Sequence, residues 1–127
     1  MSEGFVLLLM IFCHVVDDYY LQGWLASAKQ KKWWEENAPE KLYKNDYICA
    51  LLMHSFSWSF MIMLPIAYFQ SFRISLLHLI VFYVNIVIHA VVDDLKANKR
   101  TINLWTDQII HVVQIYLTAF LFLEVIK

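Results

Sequence analysis

Histidine and aspartate recur at helical spacing inside segments greasy enough to lie in lipid: His14-x-x-x-Asp18, His54, His89-x-x-x-Asp93 and Asp107-x-x-x-His111. In a bilayer an ionisable side chain finds no solvating water and must be given a partner, so these residues constrain the fold more tightly than the apolar residues around them. A divalent cation is a partner that suits imidazole and carboxylate alike.

The surrounding chain reads as membrane protein. Of its 127 residues 61% are hydrophobic and 17% aromatic, and the mean hydropathy is +0.54, well above an ordinary soluble domain. A helix needs about 20 apolar residues to cross a bilayer, and runs of that length fall at about 5–25, 47–69, 74–95 and 104–126. With two glycines, two prolines and no strand-like alternation, a β-barrel is excluded. The expectation is an all-α, four-helix transmembrane bundle forming a single integral membrane domain over 1–127. Pro65 should kink or end the second span. The apolar run from Phe5 to Val16 follows no basic residue and precedes no small-residue cleavage site, which favours a retained helix over a secretory signal.

Basic residues set the orientation. Lys29, Lys31, Lys32, Lys41 and Lys44 lie between spans one and two, and Lys96, Lys99 and Arg100 between three and four; Arg73 and Lys127 are on the other side. The positive-inside rule makes both long polar segments cytoplasmic and both termini extracytoplasmic, as in a multi-pass protein of a bacterial inner membrane. Tyr19, Tyr20, Trp24, Trp33, Trp34, Tyr43, Tyr47 and Trp105 cluster near that boundary, the depth at which amphipathic aromatics settle. With Trp33-Trp34 beside Lys31-Lys32, the cytoplasmic loop 29–46 is expected to lie on the membrane surface. Cys13 and Cys49 read as small core residues without a disulfide.

Measured along each helix at about 1.5 Å per residue, the polar residues of all four spans reach a similar depth near the cytoplasmic side. Residues at i and i+4 share a helix face, so each His/Asp pair can grip one object from one wall. Carboxylates in a low-dielectric chamber must protonate, pair with cations or bind metal. The donor set suits zinc, manganese or iron(II), with His14, Asp18, His54, His89, Asp93, Asp107 and His111 as ligands. Seven donors exceed the four of one tetrahedral zinc, which favours two ions. Gln22, Gln108 and Asn85 are placed to orient ligands or substrate, while Lys29 and Lys96 at the mouth could hold an anionic head group or phosphate.

Blander readings stand beside these. His78, toward the outer side, is more simply a packing residue, and Asp17 and Asp94 read as solvated rim neighbours of stronger candidates. Ser55, Ser57 and Ser59 are consistent with close helix approach. The paired histidines and aspartates could instead form a hydrogen-bond network that locks the bundle. The near-neutral charge gives no support for nucleic-acid binding, and no glycine-rich phosphate loop, nucleophile elbow or Cys-x-x-Cys pair is present.

The string from His14 through Asp17, Asp18, Tyr19 and Gln22 resembles the His-x-x-x-Asp-Phe-x-x-Gln opening of a family of small bacterial and phage membrane proteins, the domain of unknown function 3307. Lys29, His54, the His89/Asp93/Lys96 string and the Asp107-Gln108-x-x-His111 string extend the resemblance over nearly the whole chain. Tyr19 stands where phenylalanine is usual. The resemblance implies a polytopic membrane fold and no established activity. A looser similarity in motif style links the pattern to membrane-bound metal-dependent hydrolases.

Three functions are compatible with these residues. The first is a metal-dependent membrane hydrolase of a phosphoester or lipid head group, with Lys96 as electrostatic stabiliser and Gln22 or Gln108 as orienter. The second is a transporter or channel for metal ions or protons, for which the outer half offers few polar stepping stones. The third is a structural bundle that packs through its polar cluster and binds a partner or forms a homo-oligomer. Membrane lipids and an anionic small molecule or lipid substrate are the expected partners.

Overall fold

The computed structural model describes residues 1–126 and is helical throughout its main elements. Helix α1 (Glu3–Val15) begins at Ser2, whose hydroxyl accepts from the Phe5 amide, a serine N-cap satisfying an otherwise orphaned donor. Its inner face carries Val6, Met10 and His14, while Phe5, Leu8, Phe12 and Val15 face outward. The chain then winds as a π-helix over Val16–Leu21. Gly23 ends the segment at φ +54, a left-handed conformation that glycine adopts without penalty. The first span therefore stops four residues short of the expected Leu25.

The segment between the first two spans is structured. It holds α2 (Leu25–Ala28), α3 (Lys31–Asn37) and a 3-10 turn over Lys41–Tyr43. Trp24, Trp33 and Trp34 meet edge to face in this segment, and the Trp34 indole donates to the Ala28 carbonyl at 2.7 Å. Asn98 ties the segment to the bundle: its amide oxygen accepts from the Lys31 amide and its nitrogen donates to the Lys29 carbonyl.

Helix α4 (Asp46–Phe69) runs unbroken through Pro65, so the early end expected there does not occur. Helix α5 (Leu76–Ala97) starts from a capping box in which Ser75 and His78 satisfy each other's backbone. It ends at Arg100, left-handed at φ 55, with the Thr101 amide reaching back to the Leu95 carbonyl, an arrangement that closes helix ends. Helix α6 (Leu104–Phe120) is capped by Asn103, which accepts from the Thr106 amide at 2.9 Å, and finishes as a π-turn over Leu121–Val125.

Four of these segments are long and apolar enough to cross a membrane: Glu3–Leu21, Lys41–Phe69, Leu76–Ala97 and Leu104–Val125. They pack as a ring, α1 against α4, α4 against α5, α5 against α6 and α6 back against α1. Large apolar side chains cover the outside of every helix, among them Phe60, Tyr83, Val87, Val113 and Leu117. Helices apolar on both faces suit lipid on one side and protein on the other.

The interior is divided by depth. Val6, Met10, Ile62, Ile66, Ile115, Ala119 and Phe122 fill the half of the bundle nearer the N-terminus. The half where α1 ends, α4 begins, α5 ends and α6 begins is filled by buried histidines and aspartates. Trp58, fully buried, lies on the border of the two layers.

Candidate metal centre

The inner half of the bundle encloses Asp17 and Asp18 from the end of α1, His54 from α4, His89 and Asp93 from α5, and Asp107 and His111 from α6. Asp17 and Asp18, three and four residues after His14, share its face of the helix, and from the π-turn over Val16–Leu21, a form often seen at functional sites, both reach His54. Asp17 Oδ2 lies 3.6 Å from His54 Nδ1, and Asp18 Oδ1 lies 3.3 Å from His54 Nε2. The Ser57 hydroxyl donates to the other oxygen of Asp17. Asp17 is thus 1% exposed and not the expected solvated rim neighbour of Asp18.

Two triads of donor atoms are close enough to hold a metal ion: Asp18, His54 and His89, and His89, Asp93 and His111. In the first, the Nε2 atoms of His54 and His89 are 3.1 Å apart, and Asp18 Oδ1 is 3.3 Å from one and 3.9 Å from the other. Ligands at 2.0–2.1 Å from a tetrahedral zinc are separated by about 3.3 Å, so this spacing fits a coordination shell. Asp93, a member of the second triad, also approaches the first: its Oδ2 is 3.4 Å from His54 Nε2 and 3.8 Å from His89 Nε2, and its Oδ1 is 3.6 Å from His111 Nε2. Asp107 Oδ1 is 3.3 Å from the same His111 nitrogen.

Several buried atoms of this cluster have no hydrogen-bond partner among the described residues: Asp18 Oδ1, Asp107 Oδ1, His89 Nδ1 and both ring nitrogens of His111. Buried polar groups are nearly always satisfied. A neutral imidazole offers one lone pair, and such a lone pair beside a carboxylate oxygen that lacks a donor is what a cation site presents.

The cluster also contains its own cations. Lys29, expected at the mouth, is buried, and its ammonium donates to Asp93 Oδ2 at 2.6 Å. Lys96 Nζ contacts Asp107 Oδ2 at 2.8 Å with a third of its side chain exposed. Asp94 remains at the rim, where it pairs with Lys99 at 3.5 Å and accepts from the Asn98 amide.

His14 and Asp107 belong to neither triad. The Trp58 indole can only donate, and it donates to His14 Nδ1 at 2.7 Å. The His14 proton therefore sits on Nε2 and is given to Gln108 Oε1 at 3.0 Å, while Asp18 Oδ2 approaches Nδ1 less closely, at 3.4 Å. Gln108, so oriented, donates to Asp107 Oδ2 at 2.9 Å and reaches Asp18 Oδ2 at 3.5 Å. Trp58 also stacks on the His89 ring at 4.2 Å, and His89 stacks on His111 at 4.2 Å.

Two expected orienting residues act elsewhere. The Gln22 amide donates to the Asp18 backbone carbonyl at 2.8 Å and not to a ligand side chain. Asn85 bonds Gln114 and Thr118 in a separate network between α5 and α6 instead of supporting His89. His78 caps α5, accepting from the Ser75 amide and donating to Gln70 Oε1 at 2.7 Å, with its ring stacked on Phe122.

Fold and cluster together define an all-helical protein of membrane-spanning type with a buried His/Asp group able to bind metal. No protein-family model, curated protein or solved structure matches the chain.

Proposed function

We propose that the chain is a multi-pass membrane protein with a resident divalent transition metal, and that it hydrolyses an anionic ester at the cytoplasmic boundary of the bilayer. The observation that carries this reading is the convergence of Asp18 Oδ1, His54 Nε2 and His89 Nε2, drawn from three helices to within 3.1 to 3.9 Å of one another. A bound ion supplies Lewis acidity and a hydroxide nucleophile near neutral pH. Water then adds across the ester, its hydroxyl to phosphorus or carbonyl carbon and its proton to the departing alkoxide.

The protein's part is to position and to select. Asp17 fixes the ring of His54 from behind, the arrangement by which carboxylates commonly orient metal-binding imidazoles. Gln108 and Lys96 form the edge of the chamber nearest solvent, where an anionic phosphoester or lipid head group arrives, and Lys96 retains enough exposure to meet it. Elemental analysis of detergent-purified protein tests the proposal. Wild type is expected to carry zinc, manganese or iron, and a His89→Ala/Asp93→Asn double variant to carry none; a metal-free wild type overturns it.

One observation favours a second, structural reading. Lys29 and Lys96 already neutralise Asp93 and Asp107, as in an ion-paired network that only fixes helix packing. On that reading chelation leaves thermal stability unchanged and the protein hydrolyses no phosphodiester or carboxylester probe.

A further inference from the structure

The charges and the free lone pairs of the chamber say more about its occupants than the presence of one site. The chamber holds four carboxylates and two ammonium groups: Asp17 and Asp18 lie against His54, while Asp93 pairs with Lys29 and Asp107 with Lys96. With the imidazoles neutral, two negative charges are left over. One divalent ion cancels that excess in a region where uncompensated charge is heavily penalised.

The donors nonetheless extend past the first triad. An ion held by Asp18, His54 and His89 uses neither Asp93 nor His111, the other two donors of the second triad. Asp107 is anchored beside His111: Lys96 and Gln108 hold its Oδ2, and its buried Oδ1 is unpartnered and faces His111 Nε2 at 3.3 Å. Asp93 lies between the two sets, with Oδ2 toward His54 and Oδ1 toward His111. A carboxylate so placed can bridge two ions.

We infer that the chamber has two cation sites of unequal standing, the second built on Asp93 Oδ1, Asp107 Oδ1 and His111 Nε2 and filled only together with a phosphate-bearing anion. The inference rests on the proposed metal centre and deepens it by naming the class of ligand. A second divalent ion alone would leave the chamber with two uncompensated positive charges. A phosphate or phosphomonoester dianion, or a phosphodiester monoanion with a hydroxide, restores neutrality, and a phosphoryl group's two oxygens can span a pair of ions about 3.5–4 Å apart. Lys96, on Asp107 and partly exposed, is the cation such a group meets on entry.

The experiment is manganese titration of the metal-stripped, detergent-purified protein, read by electron paramagnetic resonance and by bound manganese after desalting. Three conditions are compared: no anion, inorganic phosphate, and nanodiscs containing phosphatidic acid. We expect one uncoupled ion per chain without the anion, and two exchange-coupled ions when phosphate or phosphatidic acid is present. Coupling with phosphatidic acid but not phosphate assigns the anion to a lipid head group; the reverse assigns it to a soluble ester. Asp107→Asn and, independently, His111→Gln should abolish the second ion and leave the first. Two ions without any anion, or a single ion in all three conditions, overturn the inference while leaving the metal centre standing. Absence of bound manganese in every condition overturns both.

Discussion

The indole N–H of Trp58 on α4 donates to Nδ1 of His14 on α1 across 2.7 Å, and this one bond decides which His14 nitrogen faces Gln108. A sequence of consequences runs from it through Gln108 to Asp107 and Asp18. Trp58→Phe keeps a ring for the stack on His89 but leaves Nδ1 of His14 buried without its donor. Stability should fall by about 1–3 kcal/mol, the usual penalty for orphaning a buried polar group. Metal content should persist, because His14 is outside both metal-capable triads. Thermal unfolding beside elemental analysis of the variant checks both halves.

Asp17 touches His54 from the side away from the proposed ion. Asp17→Asn should therefore weaken metal binding by about 10–100-fold without removing a ligand, as loss of a supporting carboxylate commonly does. Competition with a metallochromic chelator measures the change. An affinity equal to wild type would show that Asp17 serves packing alone.

Lys29 Nζ is 2.6 Å from Asp93 Oδ2, an atom that itself lies 3.4 Å from His54 Nε2 of the first triad. Lys29→Met removes one charge of a buried pair, and the metal-free protein should lose about 3–5 kcal/mol. Metal should bind the variant more tightly than wild type, since a competing positive charge has gone, and should restore most of the lost stability. Denaturation with and without added zinc reads both effects.

Chelation tests the resident ion through linkage. An ion present at a hundred times its dissociation constant stabilises the folded state by about 2.7 kcal/mol. Stripping the wild type should lower the melting temperature, and readdition should recover it. The His89→Ala/Asp93→Asn variant should respond to neither treatment.

Gly23 turns the chain out of α1 at φ +54, and a Cβ there would meet only the Leu21 carbonyl oxygen, at 3.9 Å. The space is open, so the backbone conformation alone penalises substitution. Gly23→Ala should destabilise by roughly 1–2 kcal/mol. Because the turn carries the chain toward Lys29, a lowered apparent metal affinity is expected alongside the loss of stability.

Hydropathy and spacing made the four helices legible, since each span is apolar over the length a bilayer requires. The pairs at i and i+4 likewise marked Asp18, His89, Asp93 and His111, because in a straight helix that interval fixes a common face. Asp17, three residues after His14, lies on that same face, but beside Asp18 it reads as a rim residue, because the contacts that bury it come from His54 and Ser57 on another helix. Lys29 reads from sequence as a topology signal and an anion contact at the mouth, because its distance from Asp93 along the chain conceals their contact.

What the amino-acid order determined by itself was the number of helices and the set of costly side chains, because solvation energy and helical period act locally. Which of those side chains meet was decided by the ring of four helices and by the folded segment that carries Lys29 inward. Only packing placed Trp58 between His14 and His89, and only packing left Asp107 Oδ1 facing an unpartnered His111. The donor that removes one histidine from metal binding, and the absence of one that leaves another available, both come from a different helix, which no periodicity within a single segment can encode.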